Sequence, residues 1–330
     1  MSLANGSPFA ALAAPYAAPD GRDVVLAVVK ATFRRAKNGR LELHDDQALV
    51  AAADVAHFPE AEDSSIKYPA DICVAKRGTD VVIVGEAVSR KPVQVMDVAV
   101  QARRRTVSLR VHGERFYYRG AAGVTIGSAA PFERKPIVYE RAYGGTSRDK
   151  SAVERRNPVG RGFARSASEL IDTPAPQIED PAQPIVDAND RPTPAGFGAI
   201  GASWSPRIEY AGTFDAIWKK TRMPLMPLDF DVRYNNVAHP LLQFEEHVRA
   251  GDPIAILGMT PEGLWRVELP AMAVVLHGRY HDGRVVTVRP SIDTVVIEPL
   301  EDAIQLTVRY AFPMGRGKTL LAEIRVDTDD

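Results

Sequence analysis

Val24-Val25-Leu26-Ala27-Val28-Val29-Lys30-Ala31-Thr32-Phe33 runs toward Asn38-Gly39, and Leu41-Glu42-Leu43 resumes beyond it. β-Branched residues on both sides of an Asn-Gly pair predict a β-hairpin, because the tight turn needs residues that tolerate positive φ. The same signature spreads outward. Strands are expected at 80–88, 93–101 and 106–118, the last alternating in polarity around Gly113-Glu114, as half-buried antiparallel strands do. From 253 onward, short apolar runs return: Ile254–Leu257, Leu264–Leu269, Ala273–His277, Val285–Val288, Val295–Ile297 and Ile304–Tyr310. Gly, Pro or Asp separates most of them at the spacing expected of sandwiches.

Between about 145 and 206 the character changes. Pro174, Pro176, Pro181, Pro184, Pro192, Pro194 and Pro206 preclude long regular elements, so this stretch reads as a connector or an extended wrapping segment. Thr213 to Arg222 predicts a two-turn helix with Thr213 as its cap, stopped by Pro224. Leu241, Phe244 and Val248 predict a second short helix over 241–250. The expected fold is mainly β and antiparallel. It has two sandwich-like parts, 1–145 and 207–330, either separate or packed as one unit, joined through a Pro/Gly-rich connector at 146–206 ordered against the rest, with one or two short helices.

Composition bounds the function. Lys+Arg number 41 against Asp+Glu 42, a net charge of -1 with dispersed basic residues, which argues against nucleic acid as the main partner. Cys73 is the one cysteine, so neither an intramolecular disulfide nor a thiolate zinc site can form, as suits a reducing cytoplasm. The N-terminus lacks the basic and apolar regions of a signal peptide, and no run reaches membrane-spanning length. A cytoplasmic protein without membrane partner, metal or cofactor is expected.

Candidate chemistry is sparse. Gly317-Lys318-Thr319 ends like a phosphate-binding loop, but Phe312 stands where the first glycine belongs, and a solvated hairpin turn fits better. His277 and His281 read as hairpin histidines. Asp229 and Asp231 would share a face in a strand, where they could bind a cation or share a proton, with His239 within about ten residues. Arg207, Arg222 and Arg233 are near enough in sequence to neutralise them instead. Ser64-Ser65 and Lys67 lack the glycines of a nucleophile elbow. Cys73 lies in an apolar setting that predicts a packed, inert thiol, and Trp204, Trp218 and Trp265 read as core.

Eight phrases in one order carry a resemblance. They are Val29–Phe33; Asp71 with Lys76–Gly85; Tyr139–Gly145; Asn157–Phe163; Trp204–Arg207; Ala211–Trp218; Pro227–Asn236; and Gly263–Pro270. Together the chain resembles, over about residues 8–310, the bacterial domain-of-unknown-function family twenty-one sixty-nine, whose members are commonly encoded beside type VI secretion spike and effector genes. Arg77 stands where that family often has proline, and Val237 where alanine is usual. The resemblance implies a non-enzymatic adaptor or chaperone that binds a cognate secreted effector in the cytoplasm and assists its loading onto the valine-glycine-repeat spike. Family members have no assigned catalytic residues.

Client contacts are therefore expected among Arg141, Tyr143, Gly144, Gly145, Asn157, Arg161, Trp204, Arg207, Arg222, Asp229 and Asp231, which belong to or border those phrases. The glycines serve turn geometry before direct contact. The rival expectation is a metal-assisted or carboxylate-based hydrolase using Asp229 and Asp231. A spike component or glycan-binding sandwich would instead need exposed stacked aromatics.

Overall fold

The computed structural model describes residues 1–121 and 123–329. The apolar run Val24–Phe33 lies in the strand Asp23–Arg35, and all ten of its residues are buried. Burial on both faces places it inside a sheet, where an unbroken apolar run satisfies both sides. The Asn38-Gly39 turn brings Leu41–Leu43 back antiparallel, with Phe33 opposite Leu43 and Gly39 at φ +83°. Ala303–Pro313 pairs along its other edge, and Ala10–Ala17 shares the edge used by Leu41–Leu43.

This seven-stranded sheet runs Gln243–Phe244, Thr79–Ile83, Ile292–Glu298, Ala303–Pro313, Asp23–Arg35, Ala10–Ala17, with Leu41–Leu43 beside Asp23–Arg35. Only Thr79–Ile83 against Ile292–Glu298 is parallel within it. An antiparallel five-stranded sheet runs Ile178–Glu179, Arg105–His112, Val95–Ala102, Pro253–Leu257, Leu264–Glu268. A four-stranded sheet comprises Ser2–Asn5, Leu321–Thr328, Val274–Tyr280 and Val285–Val288. One core joins all three, with Val29, Val98, Ile254, Leu276, Val296 and Ile324 fully or almost fully buried in a single cluster.

The protein is mainly β and mostly antiparallel, as the alternation indicated. The division into parts 1–145 and 207–330 does not describe the sheets, because each large sheet takes strands from both segments. Local sequence specifies a strand, whereas its neighbour is chosen by long-range pairing. The segment 146–206 runs between the sheets in short pieces, and Ile83 donates its N–H to Phe197 O within it.

Among the described residues the one α-helix is Ala216–Thr221. Its cap is Asp215, which accepts from Trp218 N at 2.7 Å, and not Thr213 as expected. The second expected helix is absent: Pro240–Leu242 makes one 3-10 turn, and Gln243–Phe244 then leaves it to pair with Asp80 and Thr79. Sheet pairing and burial of Phe244 override the helical spacing there. Gly317–Thr319 is likewise a 3-10 turn that joins strands of two different sheets, which corrects the hairpin reading. His277 and His281 do belong to the hairpin of Val274–Tyr280 with Val285–Val288.

Two buried ion pairs fasten the loop 71–76 to the seven-stranded sheet, and a third joins two strands of that sheet. Lys30 Nζ lies 3.0 Å from Asp71, Lys76 Nζ 2.7 Å from Asp80, and Arg309 Nε 2.7 Å from Asp293. Asp80 also accepts from Asn236 Nδ2 at 3.0 Å and Val237 N at 2.7 Å. Thr294 Oγ1 accepts from both Lys76 and Arg309 and so joins two of the pairs, while Thr307 Oγ1 donates to Asp71 of the third. Cys73 packs against Arg309, and burial pushes its thiol up despite that cation. Replacing Asp80→Ala strands a buried ammonium and two N–H donors. We expect this to cost about 3–5 kcal/mol, measured as a lower urea midpoint at unchanged slope.

Candidate functional site

Six of the expected contact residues meet in one knot built from the 139–163 segment. Asn157, wholly buried, donates through Nδ2 to Tyr139 O at 2.8 Å and Tyr143 O at 2.9 Å. Tyr143-Gly144 pairs parallel with Arg161-Gly162, and Arg161 Nε donates to Glu140 O at 2.8 Å. Gly144, at φ +151°, leaves no room for a Cβ, which would lie 2.2 Å from Asn157 O; Gly145, at φ +104°, abuts Gly160 O. Arg141 bridges Glu114 and Gln177. Arg141, Asn157 and Arg161 spend these N–H donors inside the protein and hold the segment's shape, while Tyr143 Oη and Asn157 Oδ1 are buried without a partner. Asn157→Ala leaves Tyr143 O without its donor and Tyr139 O with Ala142 N alone. We expect a loss of about 1–3 kcal/mol, measured by calorimetry.

Trp204 and Arg207 hold neighbouring segments of the same chain. Trp204 packs edge-on against Tyr139 at 5.4 Å between ring centroids, and Arg207 donates to Tyr234 O and Ile200 O, each at 2.8 Å. Arg222 lies apart, donating to Met226 O and Pro19 O. Asp229 and Asp231 are not on a strand and form no pair. Asp229 accepts from Thr213 N at 2.9 Å and Thr213 Oγ1 at 2.7 Å, whereas Asp231 caps the turn Val232–Asn235 and accepts from Arg233. Those hydrogen bonds hold both carboxyls below the usual range. Of the three arginines expected near them, Arg233 makes the ion pair. Among the described residues, no three His, Cys, Asp or Glu side chains converge in a way that could hold a metal ion.

What the knot shapes is a groove of about 620 Å³. One wall is the strand residues Thr106–Leu109, and Tyr139, Pro194, Ala195 and Ile200 line its depth. Asp180, Pro181, Ala182, Gln183 and Arg156 stand along the opposite wall, and His239, Pro240 and Leu241 close it. Apolar surface with a few placed polar groups is the usual make-up of a binding groove. Its position follows from sequence: the prolines keep 180–206 out of regular structure, so this segment stands off the five-stranded sheet instead of extending it. His239, weighed against Asp229 and Asp231 at first, lies here with Pro194 O and Leu241 N as its partners.

Burial drives the His239 imidazole from 6.5 down to about 4, against smaller upward contributions from Pro194 O and Asp180. Its folded pKa is therefore below its unfolded one. The stability that neutral His239 contributes is complete above pH 6.5 and is lost as pH falls toward about 4. The drop between pH 7 and pH 4.5 is about 2–3 kcal/mol. Urea titrations at the two pH values check this, and His239→Gln is expected to flatten the difference by that amount.

A second apolar surface is the helical corner, where Phe214, Ile217, Met223 and Leu228 are exposed, Leu228 to 86%. Sequence reading singled out neither surface. Pro181, two residues after the paired Glu179, was the available signal for the groove, and an apolar helix face without alternation was the signal for the corner.

Among the described residues no helix is long and apolar enough to cross a membrane. A family model described as "Uncharacterized protein conserved in bacteria (DUF2169)" matches residues 20–309. No curated protein and no solved structure matches the chain.

Proposed function

The chain belongs to the DUF2169 family, and from that premise we propose that it is a cytoplasmic type VI secretion adaptor, which binds a cognate effector and assists its loading onto the spike. The observation that carries the reading is the groove beside Thr106–Leu109, partly apolar, open and rimmed by Arg156, Asp180 and Gln183. A protein that must hold a client and later release it needs an apolar contact surface bounded by polar groups, because the apolar part supplies affinity and the rim limits it. The former contact candidates support this role indirectly. Asn157, Tyr143 and Arg161 hold the segment from which Tyr139 enters the groove.

The experiment is affinity capture of the tagged protein from its own cytoplasm, with mass spectrometry of what co-purifies, alongside secretion assays on a deletion strain. We expect one spike-associated toxin in the capture. Its secretion should cease in the deletion strain, while other spike components are still exported. Secretion of every toxin at wild-type level in that strain would overturn the reading.

A further inference from the structure

The strand Arg105–His112 is paired along its whole length with Val95–Ala102, but its other edge is paired only at Arg110 and Val111, with Glu179 and Ile178. His112 N donates to Gln177 O across that edge. Backbone groups of alternate residues face the same side of an antiparallel strand, so the N–H and C=O of Ser108 and Thr106 point outward like those of His112. The residue that would continue the pairing opposite Ser108 is Pro181, which has no N–H to donate. There the chain turns away, with Ala182 N bonded to Asp180 Oδ1 and Gln183 N to Asp180 O. No hydrogen bond reaches Thr106 or Ser108 from that side among the described residues.

We propose that the groove is a strand-addition site, in which an extended segment of the effector pairs with Thr106–Leu109 and sets alternate side chains into the apolar lining; this rests on the adaptor reading. An unpaired edge presents two donors and two acceptors over roughly 14 Å, room for about four residues of a partner strand. Partner side chains opposite Val107 and Leu109 point to the buried face of the sheet, where Tyr139, Pro194 and Ile200 line the depth. The charge at one end selects the occupant further. Arg105, next in the chain to Thr106, donates to Leu241 O and Gln243 O, and Leu241 lines the groove; Arg104 lines a separate hollow with Arg103 and Glu246. The Arg105 guanidinium, bonded to carbonyls and to no carboxylate among the described residues, fits a segment that is apolar at alternate positions and carries an acidic residue at that end. The walls formed by 180–183 and 239–241 keep a broad sheet from stacking there, so the edge admits one strand and resists open-ended aggregation.

The test begins with the captured toxin. Short overlapping fluorescein-labelled peptides from it are titrated against the full-length protein by fluorescence anisotropy, and the binding peptide is then N-methylated at one amide at a time. We expect affinity to fall about tenfold, the size of one lost interfacial hydrogen bond, at every second position and to hold at those between. Ser108→Pro, which removes an N–H that the sheet does not use, and Ala182→Trp, which fills the groove, should both abolish capture at an unchanged thermal midpoint. Capture that survives both variants, or binding insensitive to N-methylation, overturns strand addition and leaves the adaptor reading standing. Loss of capture with Ile217→Glu and Leu228→Glu, but not with the groove variants, likewise overturns it in favour of the helical corner. If the wild-type protein captures nothing, the adaptor reading fails and this proposal with it.

Discussion

Asp80 sits wholly buried in the second strand of the seven-stranded sheet, and three donors from two other segments converge on its carboxylate. A buried carboxylate is tolerable only with such company, since its desolvation must be offset by a cation and by hydrogen bonds that fill its lone pairs. Lys76 brings the loop 71–76 over the sheet, and Asn236-Val237 bring the chain that follows the helical corner. Lys30 with Asp71 and Arg309 with Asp293 repeat the arrangement on neighbouring strands. Burial works against the Arg309 guanidinium, and Asp293 overrides it, holding the side chain firmly protonated. Such pairs add less net stability than an apolar core of equal volume, but a chain that misplaced any one strand would leave a charge alone. They therefore select register and topology.

The groove depends on that selection. With 236–237 fixed by Asp80, His239 and Pro240–Leu242 are delivered to the end of the five-stranded sheet, where Arg105 receives them through two carbonyls. The knot around Asn157 fixes the other wall through Tyr139 and Trp204. Between these two supports Pro181 interrupts pairing with Arg105–His112. An unpaired edge survives because its neighbour lacks an N–H, and flanking segments shield it from other sheets. The adaptor reading and the strand-addition proposal both use this one place, where framework geometry and unspent backbone hydrogen bonds coincide.

Several elements were legible in the residues. The Asn38-Gly39 hairpin, the strands from 253 onward and the irregular 146–206 segment each follow from a local cause: positive φ, alternation, or proline's missing donor. Ala216–Thr221 was legible too, although the helix begins three residues after Thr213, so Asp215 is its cap and Thr213 donates to Asp229 instead. The predicted 241–250 helix failed because Gln243-Phe244 found a sheet edge, which no local window contains. The buried network was signalled only by Lys30 and Arg309 standing inside apolar runs, and by Asp80 at the start of another. A lone charge in a strand reads equally as an edge residue until its partner is known.

Sequence alone determined the β class, the turn positions, the place of the one helix and, through ordered phrases spread over most of the chain, the family. These rest on φ preferences, side-chain periodicity and residue identity, all carried by neighbours in the chain. Tertiary structure alone decided which strands share a sheet, that Asp229 and Asp231 serve separate turns, that the Asn157 knot is internal, and that the edge at Thr106–Leu109 is left open beside a groove. Each of these is a pairing between residues far apart in sequence, settled when buried donors, acceptors and charges must all find partners in the same folded arrangement.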